Sequence, residues 1–512
     1  MSWQSTLPAH STPPELYTPT AMAEVDRRAV AAGKSIAVLM QRAGAEVANL
    51  IASLHVHGTR IVCLAGPGNN GGDAYVAAKV LADRGYDVSV AALDMPPSAE
   101  RAAQDARRQC SARLLPPDEA MGAIQRADVV VDGLFGGGLA RPLSGPAEAL
   151  VQAANDAAAT RYAIDIASGV NGATGAVEGT AFKAHRTITF ERAKLGHALM
   201  PGRRYTGQVS VCEIGMPPRA LAAVPSAALL NGPAAWSRGL PRLADADHKY
   251  GRGHLFVVSG PMASTGAARL AAMAGLRAGA GLVTLASPPD AVMVNACHST
   301  TVMVRRVDGA EALTECLAER RAGLAVVIGP GLPVDENGLA LLEAALQSPA
   351  HVVIDAGAVR CFGLAPDRIL PVLEERNARG TPAVWTPHSG EVRTLTEALS
   401  VSGPKVDRVA ALAQRLGVVL EKGADTVIAS GEGRIAVNAN APPWLATAGT
   451  GDVLAGTIGG LLAQGFPAFD AAAAGVWLHG EAACVAGMAM IADDLVGAIK
   501  PARVALDSAL LT

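Results

Sequence analysis

Short apolar runs alternate with amphipathic helical patterns along most of this chain. The first series of runs is Ile61–Leu64, Asp87–Ala92, Val129–Asp132, Tyr162–Ile166, Thr187–Phe190 and Val209–Glu213. Alternation of this kind predicts a parallel sheet covered by helices, with ligand-binding loops at the C-terminal ends of the strands. Ahead of the series, Ala21–Ala52 has helical periodicity, and residues 1–20, rich in Pro, Ser and Thr, read as poorly ordered. A second series runs through His254–Ser259, Gly281–Leu285, Leu324–Ile328, His351–Asp355, Ala383–Thr386, Val418–Lys422 and Thr426–Ala429. Between the two, Met216–Ala244 carries Pro217, Pro218, Pro225, Pro233 and Pro241 and reads as a linker or crossing segment. The pattern therefore predicts two α/β domains, over residues 1–220 and 230–512. They do not look like copies of each other, and no solenoid-length repeat is present.

Composition narrows the classes. A chain of 512 residues is too long for one ordinary domain. Half its residues are apolar but only 4% are aromatic, so its cores must be built from Ala, Val, Leu and Ile. The net charge of −3, with no basic block, gives nucleic-acid binding little support. Seven scattered cysteines with no C-x-x-C pair argue for a reducing cytosol and against a disulfide framework or zinc site. The N-terminal residues Met1–Pro8 have no apolar stretch, so no signal peptide is expected. The uncharged run Val453–Phe469 holds four glycines, Gln464 and Pro467, and reads as a buried core helix, not a membrane span.

Candidate chemistry begins where the first run ends. Gly66-Pro67-Gly68-Asn69-Asn70-Gly71-Gly72-Asp73 follows a strand pattern and precedes a helix pattern. Glycines let backbone approach a ligand, and a helix start presents free N–H groups that suit phosphate. Asn69, Asn70 and Asp73 add more polar equipment than a dinucleotide turn needs. Two further segments also follow predicted strands: Val131-Asp132-Gly133-Leu134-Phe135 continuing to Gly136–Pro142, and Asp165-Ile166-Ala167-Ser168-Gly169-Val170. Together the three resemble the signature of the NAD(P)H-hydrate epimerases, over roughly the first 215 residues. Two positions depart from that signature, Ala74 where Gly is usual and Ala167 where Pro is usual.

The second half has its own signals. They are Asp247–Gly251, Gly253-His254, Ser259-Gly260, Thr265–Ala268, Ile328–Leu332, Thr386-Pro387-His388-Ser389-Gly390-Glu391, Lys422-Gly423-Ala424-Asp425-Thr426 and Gly449-Thr450-Gly451-Asp452. A Gly-Thr-Gly-Asp turn at a helix start can hold phosphate on its N–H groups and accept a hydroxyl proton on its carboxylate. From about residue 230 onward this half resembles the ADP/ATP-dependent NAD(P)H-hydrate dehydratases of the ribokinase-like superfamily. One position departs: the family commonly has Asp-Ala-Asp where this chain has Asp355-Ala356-Gly357. Both halves together resemble the fused, bifunctional repair enzymes for hydrated nicotinamide cofactors.

The resemblance implies a Rossmann-like three-layer αβα domain followed by a ribokinase-like αβα domain. It implies NADH hydrate and NADPH hydrate as substrates, interconverted between R and S by the first half and dehydrated as S by the second, with ADP or ATP as co-substrate and K⁺ and Mg²⁺ as cofactors. Carried over by matching residues, Asn70, Asp132 and Ser168 would ligate potassium, since oxygen donors suit a hard cation. Asn69, Asn70, Gly71, Gly72 and Asp73, with Gly136, Gly137, Gly138, Leu139, Ala140, Arg141 and Pro142, would cradle pyrophosphate and ribose. Asp165 would be the acid/base at the nicotinamide. In the second half Lys422, Gly423, Ala424, Asp425, Thr426 and Gly451 would hold the nucleotide. Asp452 would deprotonate the C6 hydroxyl, and Ala267, Gly331 and His388 would position the substrate. A cytoplasmic homo-oligomer is expected by the same resemblance.

Blander readings stand beside these. Taken alone, Asp132 or Ser168 is more often a turn or cap residue, His388 a surface or core histidine, and Lys422 a surface lysine. Arg192 and Lys194, just past a strand, read equally as solvated charge or phosphate contacts, and Glu319-Arg320-Arg321 as a solvated face. His10, His55, His57, His298 and His351 join no constellation. The rival functions are a ribokinase-like small-molecule kinase fused to a nucleotide-binding domain, and a non-catalytic nucleotide-binding scaffold. The epimerase-like half argues against the first, and the retained Asp165, Lys422 and Asp452 against the second.

Overall fold

The computed structural model describes residues 14–139, 141–241, 248–318 and 323–510. The chain divides into two compact units at the Leu230–Asn231 bond.

The N-terminal unit is built on seven strands: β1 (Arg60–Ala65), β2 (Asp87–Ala92), β3 (Arg113–Leu114), β4 (Val129–Gly133), β5 (Thr160–Ile164), β6 (Arg186–Phe190) and β7 (Gln208–Cys212). All pair in parallel, in the order β3-β2-β1-β4-β5-β6-β7. Successive side chains of a strand point to opposite faces, so near-continuous apolar runs fill two cores. Ile61, Cys63, Val129 and Val131 pack with Val47, Ile51, Tyr75 and Leu81 on one face. Val62, Leu64 and Val130 pack with Ile124, Leu150 and Val151 on the other. The result is a three-layer αβα sandwich of Rossmann-like order. The order reverses between β1 and β4, which is where such sheets open a crevice for ligands.

The N-terminal segment differs from expectation. Residues 14–20 are folded, with Glu15–Tyr17 a short strand pairing in parallel with Ala193–Lys194 and antiparallel with Ala228–Leu230. The Ala21–Ala52 pattern resolves into helices Pro19–Ala31 and Ile36–Leu54, separated at Gly33, whose φ of +88° ends the first. Within the Pro-rich stretch, Pro218–Ala222 and Pro233–Trp236 are short helices, each with Pro in its first turn. The Tyr17 hydroxyl donates to Val224 O at 3.0 Å.

Among its described residues the C-terminal unit carries nine strands: β8 (His254–Val258), β9 (Leu282–Ser287), β10 (Met303–Arg306), β11 (Leu324–Ile328), β12 (His351–Ile354), β13 (Ala383–Trp385), β14 (Gly417–Glu421), β15 (Val427–Ser430) and β16 (Ile435–Val437). Their order is β10-β9-β8-β11-β12-β13-β14-β15-β16. The pairings are parallel up to β14, and β15 and β16 then pair antiparallel as a meander at one edge. Helix Thr450–Ala463 lies against the sheet and against helix Thr265–Ala278 through small buried side chains such as Ala271, Ala272 and Ala455. That contact explains how a core so poor in aromatics is filled. Among the described residues no helix is long and apolar enough to cross a membrane. Of the run Val453–Phe469, read as one buried helix, the part up to Ala463 belongs to the buried helix Thr450–Ala463, and the chain then turns at Gln464–Pro467 into a second helix, Ala468–Ala486.

Candidate functional site

In the N-terminal unit the three motif segments leave the C-terminal ends of β1, β4 and β5 and meet at a cavity of about 960 Å³. The turn after β1 is tight. A Cβ on Gly66 would lie 1.7 Å from Leu134 O, and one on Gly71 would lie 1.9 Å from Gly66 O. Only glycine allows these loops to touch backbone to backbone. Helix Asn69–Asp83 then starts at the cavity with no side chain capping it, so its N-terminal N–H groups are available to an anion.

Asn69, Asn70, Asp73, Gly136, Gly137, Gly138, Leu139, Arg141 and Asp165 all line this cavity. Gly71 and Gly72 are buried in the turn, and Pro142 is exposed outside the lining. Ala140 lies outside the described residues. Asp132 and Ser168 are buried together. The Ser168 N–H donates to Asp132 Oδ2 at 2.8 Å, and its hydroxyl contacts Asp132 Oδ1 at 2.7 Å and Phe135 O at 3.2 Å. Burial pushes the Asp132 carboxyl up to about 6 against the hydrogen bonds from Ser168 and Leu134. Asn70 is 8% exposed, and its Nδ2 has no hydrogen-bond partner among the described residues.

Asp165 is held in the left-handed region at φ +65°, costly for a residue with a Cβ and typical of sites where surrounding structure fixes the backbone. Its Oδ1 receives the Lys194 ammonium and the Thr189 hydroxyl, the latter at 3.0 Å. Lys194 Nζ also donates to Thr189 Oγ1 at 2.8 Å. Behind the pair, His197 Nδ1 accepts the Lys194 N–H, so Nε2 carries the proton and donates to Asp165 O at 3.0 Å. Burial and the Lys194 charge lower the His197 pKa to about 4, so it is a neutral brace. Burial acts to raise the Asp165 pKa, but the Lys194 ammonium outweighs it and Asp165 lies below its ordinary value.

Lys194 is therefore not a solvated charge. It is 4% exposed and paired to the candidate acid/base. Its backbone is pinned by the pairing of Tyr17 with Lys194 in the short N-terminal strand. Sequence reading named Lys194 but missed its pairing with Asp165, because a strand of two residues leaves no periodic signal. Asp26, from helix Pro19–Ala31, is a second cavity residue that no motif announced.

In the C-terminal unit, helix Thr450–Ala463 brings Gly451 and Asp452 to its first turn. Lys422 leaves the end of β14, and its Nζ donates to Asp355 Oδ1 at 2.6 Å. Asp355 is 1% exposed and also accepts from the Thr386 hydroxyl at 2.8 Å. A Cβ on Gly451 would lie 3.3 Å from Lys422 Nζ, so the ammonium reaches the helix start. Burial, then the charge of Asp355, raises the Asp452 pKa to about 6, with Lys422 opposing and Glu391 adding to the rise.

Other expected residues have structural duties. His388 Nδ1 accepts from Gly390 N–H at 3.0 Å and caps helix Ser389–Leu399, while Glu391 Oε2 accepts the His388 N–H, completing a capping box. His388 is bridged to Lys422 through backbone, so both stand at one strand edge. Gly423 and Ala424 are exposed. The Asp425 carboxylate is taken by Lys405 at 2.7 Å, and the Thr426 hydroxyl closes the turn onto Gly423 O at 2.9 Å. Ala267 sits in the first turn of helix Thr265–Ala278. Gly331 packs against Ser264 next to it; a Cβ there would lie 2.5 Å from Ser264 O.

Two α/β units, each presenting a carboxylate and a lysine beside a helix start, define a chain with two candidate sites for proton transfer at phosphate-bearing ligands. Residues 36–196 match the family model described as YjeF-related protein N-terminus, and residues 255–499 match that of NAD(P)H-hydrate dehydratase. The bifunctional NAD(P)H-hydrate repair enzyme Nnr of Moorella thermoacetica is 37% identical over 90% of this chain and 91% of its own length. That of Coxiella burnetii is 33% identical over 91% and 94%. A crystal structure of the ADP/ATP-dependent NAD(P)H-hydrate dehydratase from Bacillus subtilis, co-crystallized with ATP/Mg²⁺, matches at 25% identity and a TM-score of 0.42, covering 51% of this chain and 93% of its own. The chain belongs to the bifunctional NAD(P)H-hydrate repair enzymes, with an epimerase half followed by a dehydratase half.

Proposed function

We propose that Asp165 with Lys194 carries epimerisation of NADH and NADPH hydrates, and that Asp452 carries dehydration of the S epimer at the expense of ADP or ATP. The observation that carries this reading is the placement of one acid–lysine group in each unit at the strand ends where its motifs converge.

In the first unit the free helix start at Asn69 suits the substrate's pyrophosphate, and Asp165, ionised beside Lys194, can take a proton at the nicotinamide ring. Asp132, Ser168 and Asn70 would hold potassium. The fit is chemical: Asp132 is a buried carboxylate with no basic partner, surrounded by oxygen donors from Ser168 and Phe135. The ion would supply the missing counter-charge and fix the two loops.

In the second unit Asp452, titrating near neutrality, is suited to take the C6 hydroxyl proton as that oxygen attacks the terminal phosphoryl. The phosphorylated hydrate then expels phosphate, a far better leaving group than hydroxide, and the dihydropyridine ring regains its conjugation. Lys422 and the helix N-terminus at Gly451 would hold the nucleotide's phosphates. Magnesium would arrive on those phosphates.

The test is an absorbance assay on mixed R and S NADH hydrates with ADP, Mg²⁺ and K⁺. Full conversion to NADH is expected. Conversion that stops at the S fraction would remove the epimerase assignment, and no conversion with either nucleotide would remove the dehydratase assignment.

A further inference from the structure

Six ionisable side chains line the N-terminal cavity: Asp26, Asp73, Arg141, Asp165, Glu191 and Lys194. Two of the four acids have a partner: Glu191 accepts the Ile214 and Met216 N–H groups at 2.8 and 3.0 Å, and Asp165 holds Lys194. Lys194 gives its ammonium to Asp165, whereas Asp26 and Asp73 have no hydrogen-bond or ion-pair partner among the described residues. One buried ammonium can balance one carboxylate. A second ionised acid in the same cavity meets like-charge repulsion that Lys194, already paired to Asp165, offsets only in part.

We propose that Asp73 is the proton donor of the epimerase site and works across the cavity from Asp165, in a reaction that opens and recloses the hydrated ring. This rests on the reading of Asp165 as the base. The substrate is a hemiaminal, with C6 bearing a hydroxyl and bonded to N1. Asp165 carboxylate takes the hydroxyl proton, the C6=O double bond forms, and the N1–C6 bond breaks with its electron pair going to N1. Asp73 delivers its proton to N1. The resulting aldehyde turns about the C5–C6 bond and presents its other face. N1 then attacks C6, returns its proton to Asp73, and the new C6 alkoxide recovers a proton from Asp165. Nothing is oxidised or reduced, no co-reactant is needed, and both acids end as they began.

The arrangement suits the task. Asp165 is ionised by its lysine, while Asp73 lies one helical turn inside the N-terminus of Asn69–Asp83, free of partners and open to the cavity. The groups that act on it are Asp165, Asp26 and Lys194. Burial, then the charges of Asp165 and Asp26, hold the Asp73 carboxyl well above the usual carboxylate range, against the opposing pull of Lys194. A donor and an acceptor with pKa values pushed apart is how paired acids divide roles.

The experiment compares Asp73→Asn, Asp73→Glu and Asp165→Asn in the full chain on R hydrate, read through the chain's own dehydratase with S hydrate as control. Asp73→Asn is expected to lose about 10²-fold or more in epimerase kcat with KM little changed, and to lose the alkaline limb of the pH profile. Asp73→Glu should recover part of the rate with that limb restored, and in labelled water the wild-type C6 oxygen should survive turnover. An effect of Asp73→Asn confined to KM, or an unchanged alkaline limb, overturns the donor role. Exchange of the C6 oxygen at every turnover overturns ring opening. Activity retained in Asp165→Asn instead removes the base, a failure distinguishable from that of Asp73.

Discussion

The two halves use the same parts in opposite ways. Each places a carboxylate and a lysine beside a helix start. In the N-terminal unit the lysine belongs to the working acid itself, Lys194 on Asp165. In the C-terminal unit Lys422 belongs to a neighbour, Asp355, and Asp452 is left beside the resulting pair. The choice of partner sets the proton state. Asp165 is pulled below its ordinary value, while Asp452 is raised to about 6 by burial and by the Asp355 charge. One unit holds its carboxyl below the ordinary range, and the other holds its carboxyl above it.

The largest tests break each site in turn. Asp452→Asn removes the proton acceptor and should cost dehydration roughly 10²–10⁴ in kcat while the R–S exchange rate, followed by chromatography, is unchanged. Loss of both activities would sink the separation of roles. Lys194→Met strips Asp165 of its counter-charge. The carboxyl should then rise and spend more of its time protonated, lowering epimerase kcat by about 10²-fold with dehydration of S hydrate intact. Near wild-type exchange in Lys194→Met would mean that Asp165 does not depend on its lysine.

A finer test uses pH. Dehydration needs Asp452 deprotonated, so its kcat/KM should fall as pH drops through about 6. Epimerisation, served by an acid held low, should keep its rate through that range on the acidic side. Asp355→Asn removes a charge that raises Asp452, so the dehydratase limb should move to lower pH. A limb that stays in place would exclude Asp452 as the titrating group.

Much of this was legible in the sequence because it rests on short-range pattern. Both strand series were, because parallel strands buried on both faces read as apolar runs. So were the motif loops, because glycine turns after strands have few other uses. The edge strand β15 reads as strand but not as antiparallel, since direction is set by the turn and not by the residues, and the three-residue β16 was too short to be read at all. Lys194 as the partner of Asp165, and Asp26, were illegible for another reason. Their positions depend on the strand Glu15–Tyr17 crossing to Ala193–Lys194 and on the helix that follows it, a contact between distant segments with no local signature. The duties of His388 in a cap and Asp425 in an ion pair were hidden in the same way.

Gly357, where the family commonly carries a second acid, is the smallest test and separates sterics from charge. It lies in the first turn of helix Ala356–Leu364, where a Cβ would come 2.3 Å from Leu332 O and 3.1 Å from Gly329 O. Those oxygens are backbone, so neither can swing away as a side-chain tip would. Gly357→Ala adds only the Cβ, and the strain should cost about 1–3 kcal/mol, read as a lower midpoint in urea. Gly357→Asp adds the same Cβ and a carboxylate at a helix N-terminus, which returns only about 0.3–1 kcal/mol. Both variants should therefore be less stable than the parent, with Asp the milder of the two. If Gly357→Ala is as stable as the parent, the loop at Gly329–Leu332 yields, and the lost acid reflects chemistry at the site instead of space. If Gly357→Asp also dehydrates faster, that chemistry is one this chain has given up; if it does not, Asp355 and Asp452 suffice beside Lys422.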